Sequence, residues 1–187
     1  MRILLVDNYD SFTFNLFHLL QDKVASIDVV RNDKVDFDKI QHYDKIILSP
    51  GPGLPSEASL LKPLIENFAN KKSILGICLG HQAIGEVFGC KLLKMSNAKH
   101  GVSSFITDFD SKDYLFRGLD KPLQVGHYHS WVLDNNERSD SVHFIAKSNE
   151  LIMGLSHHKF DVKGLQFHPE SILTPQGDKM IKNWLNY

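Results

Sequence analysis

The sequence predicts an α/β fold in which an open parallel sheet carries helices on both faces and a mixed or antiparallel β extension fills the second half. Three observations predict it. Short continuous apolar runs alternate with segments of helical periodicity through the first half of the chain. Each run ends in a loop rich in Gly, Pro, Asp or Asn. From Lys91 to Gln166 the segments become short and strand-like, until one amphipathic segment closes the chain.

The first run, residues 3–6, suits a central parallel strand covered on both faces. Asp7-Asn-Tyr-Asp10 stops it, and Asp10 or Ser11 can cap a helix with Phe12, Leu16, Leu19 and Leu20 on its apolar side. Residues 27–30 form a second strand, residues 31–34 a polar loop, and residues 37–40 a short helical turn. Residues 45–48 form a third strand, broken by Ser49-Pro-Gly-Pro-Gly-Leu-Pro55. Glu57 then opens a helix with Leu60, Leu61, Leu64, Ile65 and Phe68 on one stripe. A fourth strand, residues 74–77, turns sharply at Cys78 into a helix bearing Ala83, Ile84, Val87 and Phe88. This flavodoxin-like alternation implies right-handed crossovers, with ligands beyond the carboxyl ends of the strands. The Asp7 loop, the Gly51 loop and Cys78 all lie at those ends. Strands are expected at 102–106, 122–125, 142–146, 152–155 and 162–167, as an extension of the same sheet. A last helix starts with Thr174 as N-cap and Pro175 in first position, and buries Met180, Ile181, Trp184 and Leu185.

With 187 residues and 42% hydrophobic content, the chain suits one domain, 1–187, with a full core. A formal net charge of -1 gives no reason to expect nucleic acid or an acidic membrane surface. The two cysteines, Cys78 and Cys90, do not suggest a disulfide framework, so a reducing cytoplasm is the expected home. Residues 1–6 are too short for a signal-peptide core, and no apolar run approaches the ~20 residues that span a bilayer.

Chemistry is expected around Cys78. A nucleophile between Gly76 and Gly80 at a strand-to-helix corner follows the elbow logic of G-x-S-x-G with sulfur for oxygen. Glycine fits because a Cβ would crowd the turn, and a helix N-terminus favours a thiolate. An inert buried cysteine would account for Cys78 taken alone. A base and an orienting group are also needed, and His168-Pro-Glu170 offers both. In an extended segment His168 and Glu170 point the same way, and Pro169 disfavours helix at His168. A tetrahedral intermediate needs two N–H donors. The Leu79 N–H can be one, and Gly51-Pro52-Gly53, where glycine permits close approach and proline stiffens, can supply the other. His127-x-His129 and His157-His158 lack a Cys or carboxylate at zinc spacing, so no metal site is expected. Cys90 and Trp184 read as packing, and Trp131 as packing or a contact to partner or substrate.

Together these motifs resemble the class I (triad) glutamine amidotransferases, and within them the branch of anthranilate synthase component II and the glutaminase component of aminodeoxychorismate synthase. The pieces are Asp7-Asn-Tyr-Asp-Ser-Phe-Thr13, Ser49-Pro-Gly-Pro-Gly53, Gly76-Ile-Cys-Leu-Gly-His-Gln82 and Gln166-Phe-His-Pro-Glu-Ser171. The resemblance covers nearly the whole chain. It implies Cys78 as nucleophile, His168 as general base and acid, and Glu170 as orienter. Gly51, Pro52, Gly53 and Leu79 would contact substrate near the oxyanion, Gln82 would hold L-glutamine, and Ser130 and Trp131 would bind its amino-acid end. Trp131 stands where Leu is commoner. Val102 stands where the family usually has Lys or Arg, so no charged contact is expected from that position. The resemblance further implies no cofactor in this chain, a separate chorismate-using synthase subunit that uses Mg2+, and an ammonia channel between the two. The ammonia would serve anthranilate synthesis first, with aminodeoxychorismate synthesis, or both, as the alternative. A stand-alone cysteine hydrolase of γ-glutamyl or peptide bonds shares the elbow and the triad. A non-catalytic module on the same sheet would explain residues 3–7 but not Cys78 with His168 and Glu170.

Overall fold

Apolar runs without alternation need cover on both faces. In the computed structural model, which describes residues 1–137 and 139–187, they receive it. The first half runs β1 (Arg2–Asp7), α1 (Thr13–Leu20), β2 (Ser26–Arg31), β3 (Lys45–Leu48), α2 (Leu61–Phe68), β4 (Ser73–Ile77) and α3 (Leu79–Val87). A 3-10 segment, Phe37–His42, takes the place of a helix before β3. The second half adds β5 (Leu92–Ile106), β6 (Asp108–Phe109), β7 (Leu123–Leu133), β8 (Val142–Ser148), β9 (Leu151–His157), β10 (Val162–Leu165) and α4 (Gly177–Leu185). The main sheet has the order β2-β1-β3-β4-β10-β9-β8-β6. Its strands are parallel from β2 through β10 and antiparallel beyond.

Neighbouring residues of each parallel strand serve different layers. Ile3, Leu5, Leu75 and Ile77 pack with Leu16 and Leu20 of α1 and with Met180, Ile181 and Trp184 of α4. Leu4, Val6, Ile46, Leu48 and Ile74 pack with Leu61, Leu64 and Ile65 of α2 and with Ala83 and Ile84 of α3. On the α1 and α4 side, β3 is tied to α4 and β4 through Lys45, whose buried Nζ donates to the Trp184 carbonyl at 2.8 Å and to Ser73 Oγ.

Several boundaries differ from the sequence expectation. α1 begins at Thr13 without a side-chain cap. Asp10 Oδ1 instead accepts from Phe12 N at 2.8 Å, one turn early. α2 begins at Leu61 and not at Glu57, because Glu57 Oε2 accepts from Leu54 N and closes a separate 3-10 turn. Thr174 is not the cap of α4, which starts at Gly177. Its hydroxyl donates to the His168 carbonyl and accepts from Gly126 N. β10 stops at Leu165, short of Phe167. The largest departure is β5 with β7. These strands are far longer than 102–106 and 122–125, and they pair as a ribbon of their own and not within the main sheet. No helix among the described residues is long and apolar enough to cross a membrane.

Candidate active site

Parallel register brings distant segments to one edge. Val6 lies beside Leu48, Leu48 beside Gly76, and Ile77 beside Leu165, so β1, β3, β4 and β10 end together. The chain continues from those ends into the Asp7 loop, Ser49-Pro-Gly-Pro-Gly53, Cys78 and Gln166-Phe-His168. Because β10 lies next to β4, Cys78 N donates to the Leu165 carbonyl at 2.8 Å. The 86 residues of chain between Cys78 and Leu165 are thereby closed.

Cys78 occupies the N-cap of α3 at φ 50°, ψ −97°. A side-chain-bearing residue held there costs about 1–3 kcal/mol, and only over-determined packing maintains it. The packing is visible at the flanking glycines. A Cβ on Gly76 would lie 2.4 Å from the Gly80 carbonyl carbon, and one on Gly80 would lie 2.5 Å from the Leu48 oxygen. Close backbone packing on both sides of Cys78 thus sets the corner, and Cys78 lines a cavity of about 380 Å³.

His168 lines the same cavity. Its Nδ1 meets Glu170 Oε1 at 2.7 Å, and both side chains are buried. The two residues meet across a turn, not along the extended segment the sequence suggested, since Ser171 N donates back to the His168 carbonyl. Phe12 and Tyr128 box the ring, with centroids at 5.4 and 4.9 Å. Nε2 makes no hydrogen bond of ordinary geometry. Burial alone would strip the ring of its proton. The Cys78 sulfur and the Glu170 carboxylate more than offset that and raise the His168 pKa to about 10.

The Gly51 loop passes directly under α3. A Cβ on Gly51 would lie 2.5 Å from Leu79 Cδ2 and 2.7 Å from Asn8 Cβ, and Gly53 sits at φ 71°. Asn8 anchors the loop by donating from N to Ser49 Oγ and from Nδ2 to the Ser49 carbonyl, while Asn32 Nδ2 donates to Asn8 Oδ1.

Gly51, Pro52, Gly53, Cys78, Gln82, Ser130, Trp131 and His168 all line the one cavity, and Glu170 stands behind His168. The Leu79 side chain does not. It lines a second cavity on the other side of the loop, beside Asn8 and Glu57. Gln82 Nε2 donates to the Trp131 carbonyl at 2.9 Å and to Gln166 Oε1 at 3.2 Å. Val102 is exposed.

Sequence reasoning gave no chemical role to five neighbours of the site. Gln166 is fully buried, with Nε2 3.6 Å from the Cys78 sulfur. Tyr128 and Phe12 hold the imidazole from two sides. The His127–His129 pair, Nδ1 to Nε2 at 3.2 Å, continues to Ser104 Oγ at 2.7 Å. Burial, with help from Lys99 and His168, pushes His127 down to about 4, and burial pushes His129 to about 3, so both rings are neutral. Gln166, Tyr128 and Phe12 were hidden because their partners lie at least 40 residues away in sequence, and the His127–His129 pair because its link onward is to Ser104, 23 residues away.

The profile of the class-I glutamine amidotransferases matches residues 4–186. The chain is 41% identical to aminodeoxychorismate synthase component 2 of Klebsiella aerogenes, over 98% of this chain and 99% of that one. It is also 41% identical to anthranilate synthase component 2 of Pseudomonas aeruginosa, over 98% and 94%. A solved structure described as a GMP synthase component from Thermoplasma acidophilum is similar with a TM-score of 0.88 at 25% identity, covering 100% of this chain and 92% of that one.

Proposed function

The chain belongs to the class-I glutamine amidotransferase family, and on that footing we propose that it hydrolyses L-glutamine with Cys78, His168 and Glu170 and passes ammonia to a chorismate-using synthase subunit. One observation carries the reading. The Cys78 sulfur, the His168 ring and the Gly51 loop share a single cavity, with Glu170 bonded to the far nitrogen of the ring.

In this reading the Cys78 thiolate attacks the side-chain amide carbon of glutamine. The oxyanion is met by N–H groups of Leu79 and of the Gly51–Gly53 loop. His168, charged beside the sulfur, gives its proton to the departing nitrogen, and ammonia leaves a γ-glutamyl thioester. His168 then takes a proton from water, which attacks the thioester and releases glutamate. Glu170 holds the ring and balances its charge. Gln82 can present its Oε1 to the substrate, since its Nε2 is committed elsewhere. Ammonia must travel unprotonated, so the partner is taken to close over the cavity mouth. Ile172, two residues past Glu170, is 94% exposed and is offered as part of that contact.

Two destinations for the ammonia are supported equally. Relatives at 41% identity carry both names, so anthranilate and aminodeoxychorismate synthesis both stand. Purifying the chain together with its large synthase partner and identifying the aromatic product decides between them. The chemistry is tested by Cys78→Ser, which should abolish glutamine-dependent product while sparing product formed from added ammonia. Glutamine-dependent turnover by that variant would remove Cys78 from the role.

A further inference from the structure

We propose that Gln166 is the hydrogen-bond donor that aims and stabilises the Cys78 nucleophile, in an orientation dictated through Gln82 by the main-chain carbonyl of Trp131. The proposal rests on Cys78 being the nucleophile. The argument is one of polarity. An amide side chain can present either end, but a carbonyl oxygen can only accept. The Trp131 carbonyl lies 2.9 Å from the Gln82 amide, so the atom facing it is Nε2. The same Nε2 lies 3.2 Å from Gln166, which must therefore turn its Oε1 inward. That leaves Gln166 Nε2 pointing at the Cys78 sulfur, at 3.6 Å. Gln166 is wholly buried.

A donor held this way distinguishes the two forms of the nucleophile. It adds more to a thiolate than to a thiol, because hydrogen bonds to charged groups are the stronger kind. It also fixes the sulfur on the side of the cavity where His168 stands. Gln82 acts here through Gln166 and is a positioning residue in addition to lining the cavity. The polarity of the chain begins at Trp131, itself in the cavity wall, so a ligand that shifts the Trp131 main chain also shifts the donor at the sulfur.

The test uses the full-length protein and the pH dependence of Cys78 alkylation by iodoacetamide, with Cys78→Ser supplying the background from buried Cys90. Gln166→Met keeps the volume and removes the donor, while His168, Glu170, His127 and His129 stay in place. The alkylation midpoint should move to higher pH, and the rate below the midpoint should fall on the order of tenfold. Gln166→Glu, which turns an acceptor toward the sulfur, should move it further, and Gln82→Met should move it less. For glutamine hydrolysis, Gln166→Met should lower kcat with KM near that of the parent. A purely structural Gln166 would lower stability and leave the midpoint where it was, and that result overturns the proposal. If the variants do not fold, the parent protein decides. The 15N side-chain amide signal of Gln166 should titrate with the alkylation midpoint, and an unresponsive signal overturns the proposal equally. Glutamine hydrolysis surviving in Cys78→Ser would sink the nucleophile assignment instead, so the two failures are distinct.

Discussion

Gly80→Ala separates close packing from helix propensity at the corner that holds the sulfur. Gly80 lies in the first turn of α3, where alanine favours the helix by up to about 1 kcal/mol. Against this, the added methyl would sit 2.5 Å from the Leu48 oxygen and 2.7 Å from Leu48 Cβ, where ordinary contact starts near 3.4 Å. The obstacle is the main chain of a central strand and cannot rotate away, so α3 and β3 must separate by about 0.9 Å, the shortfall in that contact. Overpacking of this kind costs about 1–3 kcal/mol, which outweighs the propensity gain. The functional effect should be larger. Cys78 lies two residues before the methyl, and the Gly51 loop begins directly after Leu48, so both the nucleophile and the loop are displaced. Misplacement by about 1 Å costs on the order of 100-fold in rate. Urea unfolding and kcat/KM for glutamine hydrolysis measure the two effects. A variant as stable as the parent with kcat/KM within threefold, a margin of roughly 0.65 kcal/mol, would refute the claim that contact at Gly80 sets the corner.

Other consequences concern charge. Burial holds His81 near 3, His127 near 4 and His129 near 3, so as pH falls below 6.5 the unfolded chain takes up protons that the fold refuses. Stability should therefore decline from about pH 6.5 to pH 4, by up to about 1.4 kcal/mol per pH unit for each ring. His127→Gln should flatten the slope in urea titrations across that range, and an unchanged slope would contradict it. His168 behaves oppositely. Burial opposes its charge, but Cys78 and Glu170 raise it to about 10, so its contribution is full below pH 6.5 and is lost as pH climbs toward 10. The stability gap between the parent and His168→Gln should narrow over that interval, and a constant gap would rule the linkage out. Lys163→Met leaves the buried Asp113 carboxylate without its cation and should cost about 3–5 kcal/mol, read by urea unfolding. Loss of less than 1 kcal/mol, the ceiling expected of an exposed pair, would show that the pair is not held as buried.

The first half of the fold was legible because its central strands are nearly continuous apolar runs. Runs such as residues 3–6 and 45–48 need cover on both sides, and two helical layers provide it. The second half hides its ribbon. β5 slips register between Lys94 and Lys99 and again between His100 and Val102, which destroys the alternation by which a strand is read. β7 was recognised only near its start. Its later residues, His127 and His129, are polar yet buried, a pattern that sequence reading assigns to turns. Thr174 misled in a different way. Its hydroxyl could cap a helix, but it is engaged by Gly126 N and the His168 carbonyl, neither of which is adjacent in sequence.

At the site, residues whose geometry demands a residue type were readable, and residues whose role depends on a distant partner were not. Gly76, Cys78 and Gly80 announce a tight corner by spacing. Gln166 announces nothing, because its orientation is set by a carbonyl 35 residues away. That Cys78 and His168 meet at all depends on the register of β10 against β4, in which Gly164 lies beside Gly76 and Leu165 beside Ile77. The register has a physical cause. A Cβ on residue 164 would sit 2.6 Å from His81 Nδ1, so only glycine can occupy the point where α3 crosses β10. A slip by one residue would drive Lys163 or Leu165 into the His81 ring and carry His168 one strand step, about 3.3 Å, from the sulfur. His81 belongs to the nucleophile motif yet does no proton chemistry, since burial keeps it neutral. Its ring gauges the position of the strand that carries the base, and a histidine within the nucleophile's own helix thereby fixes where the second half of the site must dock.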